Sequence, residues 1–119
     1  GAIYEAYVAD RNDKFLVYKS NDILIRLHES KLINYLADKF IPNAIVLFGS
    51  CARGEDIETS DIDLFIQAKE ENTDLRKFEG NLKRKINLLF ESDLKDVPSE
   101  LMNNVINGIV VYGYLKVLK

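Results

Sequence analysis

The sequence predicts a small α/β protein, a mixed β-sheet with helices packed against it. Three observations carry this. AIVLF (44–48) is a short, continuously apolar run, the pattern of a strand buried on both faces. DIDLFIQ (61–67) alternates, with Ile62, Leu64 and Ile66 on one face and Asp61, Asp63 and Phe65 on the other. Between and around such runs lie segments with helical spacing. The resulting order of helix, strand, helix, strand, helix, strand, helix indicates a layered α/β sandwich.

Taken in order, residues 3–8 (IYEAYV) and 14–19 (KFLVYK) are rich in aromatic and β-branched types around the turn-like ADRND. Residues 1–20 therefore read as an N-terminal extension, either a small hairpin or the remnant of an upstream DNA-binding domain. The main domain is assigned to 21–119. Residues 21–41 read as helix with a break near Glu29-Ser30. Leu32, Leu36 and Phe40 recur at helical spacing, and Pro42 stops the helix.

After the strand at 44–48, Ser50 to Arg53 starts a short helix, and Gly54 to Ser60 is polar loop. Leu75, Phe78 and Leu82 mark a helix over 73–83, with Thr73 or Asn72 as its N-cap. KINLLF (85–90) is a third strand. Residues 98–107 read as helix, with Pro98 in the first turn and Gly108 just past the end. IVVYGYL (109–115) is a last strand or an extended tail.

Composition narrows the function. The chain has 119 residues, 47% hydrophobic and 29% charged, with a formal net charge of −3 and a pI near 5.2. It has enough apolar content for one core. Its charge argues against direct nucleic-acid binding by this domain. A single cysteine, Cys51, excludes an internal disulfide framework and fits a reducing, cytoplasmic location. No apolar run reaches the roughly 20 residues of a membrane helix, and no signal peptide is visible in GAIYEAYVAD.

The stretch FGSCARGEDIETSDIDLFI (48–66) carries the chemistry. Gly49-Ser50 precedes Asp61-x-Asp63 with ten residues between them. Two carboxylates one residue apart on a strand project from the same face, about 7 Å apart. A Gly-Ser turn that opens a helix offers backbone N–H groups to an anion. Gly49 permits close backbone approach to phosphates. Ser50 adds a hydroxyl, and Arg53 stands one turn on, where a guanidinium could pair with a phosphate. Asp61 and Asp63 offer the oxygen ligands that Mg²⁺ or Mn²⁺ requires. Each piece alone is weak, since Gly-Ser is commonly only a turn and Asp-x-Asp a solvated strand face. Together they supply the parts that hold a nucleoside triphosphate and its divalent cations.

This pattern resembles the nucleotidyltransferase superfamily of DNA polymerase beta type. The fuller string GSCARGEDIETSDIDLFI is similar to the minimal nucleotidyltransferase (MNT) proteins of archaea and bacteria, and the similarity runs from about Ile23 to Leu115. The resemblance implies the nucleotidyltransferase fold. It implies Gly49 and Ser50 as triphosphate contacts, Asp61 and Asp63 as catalytic metal ligands, and Mg²⁺ or Mn²⁺ as cofactor. It further implies an antitoxin role beside a helical HEPN-type protein, and transfer of AMP from ATP to a hydroxyl of that partner.

One departure stands out. The third carboxylate of the active family pattern lies on the next strand, in a context like RKVDLV. Here that context reads Arg84-Lys85-Ile86-Asn87-Leu88-Leu89. An amide neither binds Mg²⁺ as a carboxylate does nor assists removal of a proton. Glu91 shares strand parity but lies about 13 Å further on. An alternative function follows, that of a catalytically impaired module that binds nucleotide and docks on the partner. A third is a regulatory fragment of a DNA-binding protein with nucleotide as effector. The remaining candidates favour ordinary roles. His28 reads as structural or solvent-facing, and Cys51 as a small filler at a helix start. Lys83, Arg84 and Lys85 read as a solvated helix end. Tyr112 and Tyr114 lie in an apolar stretch that could meet a partner.

Overall fold

The computed structural model describes residues 22–53 and 60–115. Four strands form one sheet: β1 Ala44–Phe48, β2 Ile62–Ile66, β3 Ile86–Phe90 and β4 Ile109–Gly113, in the order β3-β2-β1-β4. β1 is antiparallel to both of its neighbours, β2 and β4, while β2 and β3 are parallel. The mixed sheet matches the expectation. The segment left open as strand or tail is an edge strand, with a bulge opposite Ile45/Val46. The hairpin expected within 1–20 lies outside the described residues, as do 54–59 of the polar loop.

Residues 22–29 form helix α1. The break expected near Glu29-Ser30 is present and has a local cause. Ser30 Oγ donates to Leu27 O at 2.8 Å and accepts from Leu32 N at 3.2 Å. Lys31 turns left-handed at φ 69°, and α2 follows as Leu32–Phe40. Ile41 is left-handed too, its N–H bonded to Ala37 O, and Pro42 prevents any continuation. The short α3 spans Ser50–Arg53, α4 Arg76–Leu82 and α5 Ser99–Ile106, with a 3₁₀ turn at Leu94–Asp96. Pro98 sits one residue ahead of α5, at its N-cap.

The alternation of the strands divides the core. One sheet face buries Ile45, Leu47, Ile62, Leu64 and Ile66 against α2 (Leu32, Leu36, Phe40) and α4 (Phe78, Leu82). The other buries Val46 and Phe65 against Leu94, Val97 and Val105. Both faces of β1 are covered, which is why AIVLF carries no polar residue. Each such aliphatic or aromatic side chain stabilises the fold by about 1.5–3 kcal/mol. Among the described residues, the second face is least covered where Asp63 is half-buried and Asn87 exposed, so Asp63 does not intrude on the core.

Two expectations need correction. Neither Asn72 nor Thr73 caps α4, which begins only at Arg76. Thr73 Oγ1 is held instead by Tyr35 OH at 2.9 Å, and Asp74 Oδ1 accepts from Arg76 N at 3.0 Å. The N-cap is Leu75, two residues beyond Thr73, and it has no side-chain cap. Arg84 is not part of a solvated helix end: it is 8% exposed, while Lys83 and Lys85 are exposed. Among the described residues no helix is long and apolar enough to cross a membrane.

Candidate functional site

The least covered part of the second sheet face brings the motif residues together. β1 ends at Phe48, which pairs with Asp63 across the antiparallel β1–β2 ladder. The next residue, Gly49, therefore lies over Asp63. Its φ is +75°, and a Cβ built on it would stand 2.6 Å from Asp63 Oδ2. Glycine is required twice over, for the left-handed turn and for the space that the carboxylate fills. Ser50, half-buried, is the first residue of α3. Its N–H and hydroxyl belong to the helix end where donors lack intrahelical partners. Arg53 N closes the single turn on Gly49 O at 3.3 Å. Arg53 is exposed as the last residue of α3.

The parallel pairing of β2 and β3 sets Asn87 directly beside Asp63. Asn87 Nδ2 donates to Asp61 Oδ2 at 3.0 Å and to Asp63 Oδ1 at 3.0 Å. The two carboxylates thus converge on a single point, and the amide stands at the position expected of a third ligand. Glu91 follows the end of β3 and donates its N–H to Ile66 O, at the far end of β2. It is remote from the pair, as anticipated. Among the described residues no group of three His, Cys, Asp or Glu side chains converges.

The donor set fits a hard divalent cation in kind. Two carboxylates meet at one accessible point, and Asn87 could present Oδ1 there once its amide turned. It fits only partly in charge, with two formal negative charges rather than three. A cavity of about 560 Å³ lined by Asp74, Arg76, Glu79, Ile86 and Leu88 opens elsewhere. Ile86 and Leu88 point away from Asn87, so this cavity is on the opposite sheet face.

Arg84 is the residue that sequence reasoning missed. Its Nε donates to Ser60 O at 2.8 Å and its Nη2 to Cys51 Sγ at 3.4 Å. Cys51, 1% exposed, donates in turn to Asp61 O at 3.5 Å. A parity signal existed in the sequence, because Arg84 continues the core-facing series Ile86, Leu88 and Phe90. Cys51 is buried at a helix start as expected, but it also touches the backbone of the aspartate pair. His28 is exposed, as expected.

A family model described as Polymerase beta, Nucleotidyltransferase matches residues 30–115. Among solved structures, the chain is similar to a toxin-antitoxin crystallised with AMP-PNP, at 24% identity and a TM-score of 0.52. That match covers 71% of this chain and 73% of the other. It is also similar to a mutant of the toxin-antitoxin MntA-HpeT, changed from Asp to Glu at two positions one residue apart. There the identity is 22% and the TM-score 0.52, with the same coverage of 71% and 73%. No curated protein has a significant match. At these identities the structural likeness establishes the fold.

Proposed function

The chain belongs to the polymerase beta nucleotidyltransferase family, and from that premise we propose that it binds a nucleoside triphosphate with a divalent cation as the antitoxin-type partner of a helical HEPN-type protein. ATP is the favoured nucleotide and Mg²⁺ or Mn²⁺ the favoured cation. The observation that carries this is the convergence of Asp61 and Asp63 on one point beside the Gly49 turn. The toxin-antitoxin neighbours, one of them with AMP-PNP, support it. The aspartates changed in MntA-HpeT have the spacing of Asp61 and Asp63. Exposed Val110 and Tyr112 on edge strand β4, with exposed Tyr114 just past its end, support docking of a protein partner.

In this scheme the N–H groups of Gly49 and Ser50, with the Ser50 hydroxyl, hold the triphosphate, and Arg53 pairs with a phosphate oxygen. Asp61 and Asp63 hold the cation, which when bound would neutralise phosphate charge and polarise the phosphoryl oxygen. Transfer of AMP to a partner hydroxyl would form an O–Pα bond, break the Pα–O–Pβ bond and release pyrophosphate. The hydroxyl must also lose its proton. Asn87, an amide at the third-ligand position, cannot take it. Binding and docking therefore exceed transfer, and the impaired module is the better-supported form of the function. The active transferase is the second form, favoured by the intact aspartate pair.

Labelled ATP incubated with a HEPN-type partner and Mg²⁺ or Mn²⁺ separates the two. Stable co-elution with slow labelling, accelerated by Asn87→Asp, is the expected result. Fast labelling by the unaltered chain would establish the active transferase. Failure to co-elute at micromolar concentration would remove the partner.

A further inference from the structure

We propose that Arg84 and Cys51 are positioning residues for Asp61, a guanidinium–thiol clamp on the backbone that carries this carboxylate. Its functional consequence rests on the metal and nucleotide binding proposed above, whereas its geometry does not. The two aspartates are held by different means. Asp63 lies within β2, flanked by Phe48 on one side and Asn87 on the other. Asp61 precedes β2 and, among the described residues, has no partner in either ladder. The sheet alone does not fix it.

Side chains from two other elements supply what the sheet does not. Arg84 Nε bonds Ser60 O at 2.8 Å, and Cys51 Sγ bonds Asp61 O at 3.5 Å. Arg84 Nη2 bonds the same sulfur at 3.4 Å. Ile62 N then starts the β2–β3 ladder on Lys85 O at 2.8 Å. Three successive residues, Ser60 to Ile62, are each tied down. Arg84 is itself fixed from both sides by Glu79, whose O accepts from Arg84 N and whose Oε2 accepts from Ile86 N at 2.9 Å.

Burial makes this more than surface decoration. Arg84 as a whole is 8% exposed, and a guanidinium in so buried a residue keeps its place only if its donors are satisfied. Two nitrogens of one planar fork reach two acceptors at fixed spacing, which a lysine ammonium cannot reproduce. Cys51 belongs to α3, directly after Gly49-Ser50. The clamp therefore couples the phosphate turn to Asp61, so that neither moves without the other.

The test has one readout free of metal. Asn87 Nδ2 donates to Asp61, so the Asn87 side-chain amide resonance in ¹⁵N NMR reports where that carboxylate stands. In Arg84→Lys and in Cys51→Ala it should move toward its position in Asp61→Ala, and less so in Cys51→Ser, which keeps a donor and an acceptor. The Mn²⁺ dissociation constant, read by water-proton relaxation, should rise about ten-fold in Arg84→Lys and Cys51→Ala. Placed in an Asp61→Ala background, the same changes should add nothing. A wild-type resonance in both variants, or an equal loss of Mn²⁺ affinity with Asp61 already removed, would overturn the clamp. If the unaltered chain binds no Mn²⁺, the proposed metal site falls, and the amide resonance alone decides the clamp. Should Arg84→Lys fail to fold, Cys51→Ala carries the same test.

Discussion

Asn87 faces Asp63 across the parallel β2–β3 pairing, its Nδ2 3.0 Å from Asp63 Oδ1. The same nitrogen also reaches Asp61 Oδ2 at 3.0 Å. One amide thus joins the two carboxylates of the motif and neutralises neither. Replacing it with a carboxylate, Asn87→Asp, would put three negative groups at one point. We expect metal-free stability to fall by about 1–2 kcal/mol, from the loss of two charge-assisted hydrogen bonds. Mn²⁺ should bind about ten-fold more tightly and restore the lost stability by linkage. Thermal melts with and without Mn²⁺ check both directions. A variant whose melting temperature ignores Mn²⁺ would contradict this.

Gly49→Ala should damage stability and site together. The left-handed backbone costs an L-residue about 1–2 kcal/mol, and the new methyl meets Asp63 Oδ2 at 2.6 Å. Asp63 must shift, so metal-dependent ATP binding should weaken by about ten-fold or more. Denaturant melts and ATP titration on the same sample separate the two effects. Unchanged ATP affinity would show that the turn does not position Asp63.

Two other glycines should respond in opposite directions. Gly80 lies inside α4, and a Cβ there meets nothing within 4 Å. Gly80→Ala should stabilise by about 0.5–1 kcal/mol through helix propensity. Gly108 packs its backbone on β1, where a Cβ would meet Leu47 O and stand 2.8 Å from Val46 Cγ1. Gly108→Ala should destabilise by about 1–3 kcal/mol, the cost of overpacking. Urea midpoints decide both.

Asp74 should titrate far below an ordinary carboxyl. Hydrogen bonds from the Arg76 side chain and backbone lower its pKa from 3.8 to about 2. The sign follows from linkage: the contribution is present above the unfolded value and is lost as pH falls through the folded one. Both groups are on the surface, so salt should screen the pair and bring the carboxyl back toward its usual value. Following its side-chain carbon shift by NMR from pH 5 to 1.5, in low and high salt, tests this.

β1, β2 and α2 were legible because each carries a pattern that fits one kind of element best. AIVLF fits a doubly buried strand, and Leu32, Leu36 and Phe40 fit a helix face. The nearness of Gly49 to the aspartate pair followed from the motif, though not its mechanism, the packing of the glycine on Asp63. What was not legible depends on partners distant in sequence. Thr73 does not cap α4, which starts later, and its hydroxyl meets Tyr35 instead. Arg84 looks like its neighbours Lys83 and Lys85 until the fold brings Ser60 and Cys51 within its reach. The placement of Asn87 depends on a parallel register that no local pattern specifies. IVVYGYL, apolar without clean alternation, gave no basis for choosing between strand and tail.

The central claim is that Asp61 and Asp63, beside the Gly49 turn, hold a metal–nucleotide complex. Calorimetric titration of ATP with Mg²⁺ or Mn²⁺ tests it most directly, on the unaltered chain and on Asp61→Ala. Metal-dependent ATP binding that disappears in Asp61→Ala is the predicted result. Absence of binding in the unaltered chain, or binding that survives Asp61→Ala, would contradict the assignment.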